Sequence, residues 1–105
     1  MNIRVGPVIY ELIEEHNLHG SKDLLYGVVD CDECVIKLRE NMNVQLKRVT
    51  FWHEVTHLLL AQIGKDELGK DEDLIDALAN VLVGLFIDNP GISELYAEDA
   101  DEETA

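Results

Sequence analysis

In His53-Glu54-Val55-Thr56-His57, residue type and spacing could do chemistry together. The stretch reads H-E-x-x-H, a pattern that on a helix makes a zinc site with a general base beside it. Successive residues of an α-helix turn by about 100°, so side chains four apart lie roughly 40° apart and about 6 Å along the axis. Both imidazoles then leave one face and can reach a single ion at ~2.0–2.1 Å. Glu54 sits about a quarter turn from His53, too far round for the natural third ligand but close enough to reach a water held by the ion. The bland alternative is a helix with two polar core histidines and a surface glutamate. It leaves two inward imidazoles in need of partners.

Two histidines do not complete a catalytic zinc centre, which uses three protein ligands and leaves the fourth position to water. The third must come from another element. The only downstream helical segment carries Glu72, Asp73 and Asp76. Spacings of three and four make these neighbours on one helix surface. Glu72 and Asp73 fall in the first turn, where the helix dipole favours carboxylates without any metal. Asp76, a turn further in and flanking the stripe of Ala79 and Val83, is less well explained that way. Helical geometry does not separate Glu72 from Asp76.

The elements that must hold these groups can be read from periodicity. Asn41 or Asn43 can cap a helix that carries Val49, Trp52, His53, Thr56, Leu59, Leu60 and Ile63 at helical spacing to about Gln62, with Gly64 ending it. Apolar residues wrap much of its circumference, the mark of a central helix. Lys65 to Lys70 form a connector. Asp71 can cap a last helix, carried by Leu74, Ile75, Leu78, Ala79, Leu82, Leu85 and Phe86 to about Ile87 and closed by Asn89-Pro90-Gly91. Upstream, Leu24–Cys31 and Cys34–Arg39 read as two strands joined by a tight hairpin at Asp32-Glu33. Pro7 suits the first turn of a helix, and Val8, Ile9, Leu12 and Ile13 recur at helical spacing, so the first element is expected to be a helix stopping between Asn17 and Gly20. The expected fold is α+β, with an N-terminal helix, a small antiparallel hairpin sheet, the H-E-x-x-H helix and a C-terminal ligand-bearing helix.

Length and charge bound the function. The chain has 105 residues, the size of one domain with one modest core. Its formal net charge of −14 opposes direct nucleic-acid binding, which needs a basic face. Six acids fall between Glu94 and Glu103, so residues 93–105 read as an acidic, solvated, disordered tail behind a domain of residues 1–92. No stretch approaches the ~20 apolar residues of a membrane span, and the N-terminus lacks the pattern of a signal peptide. A cytoplasmic protein is expected, with no membrane partner. Cys31 and Cys34 form a lone C-x-x-C at a hairpin, without the second pair of a zinc ribbon or the helix of a thioredoxin-like motif. His16 and His19 read as solvent-facing, and Trp52 as core packing.

The segment from Arg48 to Leu60, with Phe51-Trp52-His53-Glu54 and His57 at its centre, resembles the active-site helix of ImmA/IrrE-type zinc metallopeptidases. The run from Asp76 through Ala79-Asn80 to Pro90 is similar to that family's second motif, in which a glutamate precedes x-x-Ala-Asn. The likeness spans about Tyr26 to Pro90 and is strongest to short single-domain members carried by phages and mobile elements. It implies a minimal zincin-like domain that binds Zn²⁺ through His53, His57 and Asp76, with Glu54 as catalytic base. Asp76 stands where the family has glutamate and is one methylene shorter. The pair Glu72 and Asp76 also resembles the broader zincin pattern, in which a ligand glutamate is followed one turn on by an aspartate that orients a histidine; there Glu72 is the third ligand.

The function so implied is a zinc-dependent metallo-endopeptidase acting on a protein or peptide substrate, such as a repressor. Glu54 would take the proton of the attacking water and deliver it to the leaving amine. A further donor to the oxyanion is expected, with Tyr26, Tyr96, His16 and His19 as candidates. The competing expectation is a non-catalytic binding module on the same scaffold, with structural zinc closed by a fourth protein ligand.

Overall fold

A computed structural model describes residues 1–18 and 26–97. Four strands precede two helices: β1 (Asn2–Val5), β2 (Val8–Glu15), β3 (Gly27–Asp30), β4 (Val35–Arg39), α1 (Val44–Gln62) and α2 (Glu72–Asp88). Short 3₁₀ turns at Leu68–Lys70 and Ile92–Glu94 flank α2. The strands form one mixed sheet in the order β1-β2-β4-β3. β1 and β2 are antiparallel, as are β3 and β4, while β2 and β4 run parallel with Glu11 opposite Val35 and Glu15 opposite Arg39.

The expected N-terminal helix is therefore a strand pair, and the sheet is mixed rather than antiparallel. Gly6 and Pro7 form the two-residue turn of the β1–β2 hairpin, and Gly6 adopts φ +61°. Glycine meets that requirement at the first central position of a tight turn without steric penalty. Beyond the turn the period is two. Tyr10 is 4% exposed while its neighbour Ile9 is 53% exposed, and Val8 and Leu12 pack on the core with Tyr10. Apolar residues at 8, 9, 12 and 13 satisfy both periods; β-branched and aromatic side chains and pairing with β4 resolve the ambiguity towards strand.

The β3–β4 hairpin forms where expected. Its turn lacks glycine because Cys34 itself adopts the left-handed conformation, φ +56°, and Asp30 Oδ1 accepts the Glu33 N–H at 3.0 Å. Both helices start where their capping residues stand. Asn43 Oδ1 accepts the Leu46 N–H at 2.8 Å, and Asp71 Oδ1 accepts the Leu74 N–H at 3.1 Å, each satisfying one unpaired donor of a first turn. Past α1, Gly64 takes φ +75°.

α1 lies between the sheet and α2. Val55 and Leu58 of α1 meet Val5, Tyr10 and Ile36 of the sheet in one cluster. Ile36 and Leu58 are among the largest fully buried side chains, each worth ~1.5–3 kcal/mol in burial. On the other side Ile75 and Ala79 of α2 are fully buried, and Trp52 stacks on Phe86 with centroids 5.1 Å apart, which confirms the packing role read for Trp52. Gln62 Nε2 donates to the Val5 carbonyl at 2.6 Å, tying the end of α1 to the first hairpin. No described helix is long and apolar enough to cross a membrane. His19 and residues 98–105 of the acidic end lie outside the described residues.

Candidate metal centre

His53, Glu54 and His57 all lie on α1, and Glu72 and Asp76 on the first turns of α2. The helix period brings the two rings together, with centroids 5.0 Å apart. Their Nε2 atoms are 3.3 Å apart. Glu72 closes the triangle: Oε2 lies 3.2 Å from His53 Nε2 and Oε1 lies 3.4 Å from His57 Nε2. Two donors each ~2.0–2.1 Å from a tetrahedral ion are separated by about 3.3 Å. The two Nε2 atoms thus have the separation that one shared tetrahedral ion requires, and the Glu72 carboxylate sets one oxygen against each of them, so that one donor atom from each of the three residues lies within 4.8 Å of the others. His53, His57 and Glu72 form the one such group of donors among the described residues.

Asp76 occupies a different place. Its Oδ1 lies 2.8 Å from His53 Nδ1, on the ring nitrogen that faces away from the triangle. An ionised carboxylate only accepts hydrogen bonds, so this contact assigns the proton to Nδ1 and leaves Nε2 with a lone pair for a metal. The structure thus brings Glu72, rather than Asp76, into the three-donor group and places Asp76 where it orients His53. That is the arrangement left open as the alternative in the sequence. The sequence could not choose because both carboxylates share one surface of α2, and only the seating of α2 on α1 decides which of them meets the two Nε2 atoms.

Glu54 is 9% exposed. Burial raises its pKa; the neighbouring His53 pulls it down and the Glu72 carboxylate raises it further. The group therefore holds a proton more readily than a solvated glutamate.

Two clefts meet at Glu54, and β3 walls both. One, of about 350 Å³, passes Tyr26, Gly27, Thr50, His53 and Asp76. The other, of about 340 Å³, passes Val28, Cys31, His57, Ala61, Asp66 and Gly69. Gly27 permits the close approach of β3 to α1, because a Cβ there would stand 2.7 Å from Thr50 Cγ2. A larger hollow of about 460 Å³ between β2, β4 and the start of α1 shares no residue with the metal group.

Among the candidate oxyanion donors, Tyr26 lines a cleft with His53 and Glu54, and the Arg39 guanidinium sits 4.7 Å over its ring. His16 contacts Asn41 instead, and neither His16 nor Tyr96 lines either cleft. Cys31 and Cys34 are free thiols. Cys31 and Asp66 were not expected at the site; the C-x-x-C that contains Cys31 gave no link to the histidines, Asp66 belongs to no motif, and only the fold carries them to the second cleft. Comparison of the chain with protein-family models, curated proteins and solved structures finds no match.

Proposed function

We propose that this chain is a zinc-dependent endopeptidase of the ImmA/IrrE kind, built on a minimal zincin-like domain. The observation that carries the reading is the group of His53 Nε2, His57 Nε2 and the Glu72 carboxylate, which sets one oxygen 3.2 Å from the first ring and the other 3.4 Å from the second, beside a buried carboxylate. Three donors on two packed helices match an open catalytic site rather than a closed four-ligand structural one.

His53, His57 and Glu72 would hold the ion, and Asp76 would fix the ring of His53. A bound zinc ion supplies Lewis acidity, polarising a scissile carbonyl and acidifying water. Glu54 accepts the proton of the attacking water on its carboxylate and passes it to the departing amine. Its burial where the two clefts meet supports a peptide lying across both with its scissile bond beside this carboxylate. β3 is the outermost strand on that side among the described residues, and a strand edge offers main-chain hydrogen bonds to an extended peptide. Tyr26 stands at the mouth of one cleft as the candidate donor to the developing oxyanion. The resemblance to the family points to a regulatory protein, such as a repressor, as substrate.

The test uses zinc-loaded protein and unfolded casein. Cleavage should stop with a chelator and return with zinc. Glu54→Gln should bind zinc normally and cleave ~10²–10⁴-fold more slowly. A Glu54→Gln protein that binds zinc and cleaves at the full rate refutes the proposal.

A further inference from the structure

We infer that the cleft running from Glu54 and His57 past Ala61 to Asp66 receives a lysine or arginine side chain of the substrate, so that the enzyme selects basic peptides. This deepens the peptidase reading and rests on it. The two clefts that meet at Glu54 are similar in size, about 350 and 340 Å³, at the small end of the range for ligand pockets. They differ in what their carboxylates are doing. In the first, Asp76 is engaged with His53 Nδ1 at 2.8 Å. In the second, Asp66 is the one carboxylate besides Glu54 among the described residues, in a lining otherwise dominated by Val28, Val29, Leu58 and Ala61. Asp66 is exposed, and no cation among the described residues is in ion-pair contact with it.

An apolar trough with one uncommitted carboxylate matches a side chain made of an aliphatic stem and a cationic head. Lysine and arginine bury such stems while keeping the charge at a polar end. An acidic side chain in the same trough would meet Asp66 with like charge. The formal net charge of −14 acts in the same direction over a longer range, drawing basic segments to the site and repelling acidic ones.

The experiment separates binding from cleavage. Zinc-loaded Glu54→Gln protein is titrated calorimetrically, at low salt, with two alanine-rich heptapeptides that differ only in a central lysine or glutamate. The lysine peptide should bind roughly ten-fold more tightly, and added salt should shrink the difference. Adding Asp66→Lys should abolish or invert the preference. Adding Asp88→Lys, which makes the same change in net charge at the far end of α2, should leave most of it. The inference is overturned if both peptides bind equally, if neither binds, or if the two lysine substitutions act alike.

Cleavage of casein by the zinc-loaded wild-type protein is read independently by sequencing the new termini. Cleavage without lysine or arginine enriched beside the cut sinks the basic pocket and leaves the peptidase intact. Discriminating peptide binding with no zinc-dependent cleavage sinks the peptidase and leaves a cleft that recognises basic peptides.

Discussion

The two helices supply unequal halves of the metal group. On α1 the side chains of His53 and His57 are 21% and 27% exposed, and their separation follows from one turn of a helix pinned between the sheet and α2. On α2 the side chains of Glu72 and Asp76 are 62% and 63% exposed, and their position depends on how one helix rests on another. The first half is preset by local geometry, whereas the second is a product of packing. Metal affinity should therefore be lost by damage to either half, but only the second half should fail when the packing is changed at a distance.

The largest effect is expected at α1. His57→Ala removes one of two preset candidate donors and, on the proposed reading, should weaken zinc binding by well over the ~10–100-fold attributable to an outer partner, as measured by competition with a chromogenic chelator. Retention of near-native affinity would sink the triangle. Asp76→Asn should fall within that ~10–100-fold range, because it loosens His53 without removing a donor, and Glu72→Gln should exceed it. An Asp76→Asn effect larger than that of Glu72→Gln would reverse the two roles. Packing is probed by Ala79→Leu. Ala79 is fully buried on α2, and overfilling a close-packed interface typically costs ~1–3 kcal/mol. Zinc affinity should drop although no ligand is touched, whereas a change in thermal stability alone would show that α2 does not need its present seat. On the substrate side, Gly27→Ala forces a Cβ to within 2.7 Å of Thr50 and 3.1 Å of Leu38. It should lower Tm and impair cleavage more than zinc binding.

The smallest and most specific effect concerns Glu54 in metal-free protein. Its folded-state pKa lies above the ordinary 4.5, mainly through burial, so the folded chain binds this proton more tightly than the unfolded chain. The resulting stability is fully present below the unfolded value and is lost as pH rises through the folded one. Wild-type Tm should therefore fall relative to that of Glu54→Gln between pH 4.5 and neutrality. Parallel Tm profiles would show that burial does not perturb this carboxylate.

The contrast between the helices is also a contrast in legibility. The α1 half of the site stands in the order of residues, because four positions in a helix always return to nearly the same face. The cap Asp71, a cap for α1 at Asn41 or Asn43 (the structure selects Asn43), the end of α1 near Gln62 and the β3–β4 hairpin were legible for the same reason, each being a signal confined to a few neighbouring residues. The strand at Val8–Glu15 was not, since its apolar positions fit two periods and the partner that selects one of them, β4, lies more than twenty residues away.

By itself the sequence determined the residue types and the local geometry: two imidazoles one turn apart, a carboxylate between them, two capped helices and a hairpin. Only the tertiary structure decided which acid of α2 joins the histidines, that the first element is a strand pair, and that Asp66 and Cys31 share a cleft with His57. The physical reason is range. Backbone dihedrals and capping hydrogen bonds act over about one turn and can be read from neighbours, whereas the meeting of α1, α2 and β3 depends on burial shared among residues far apart in the chain.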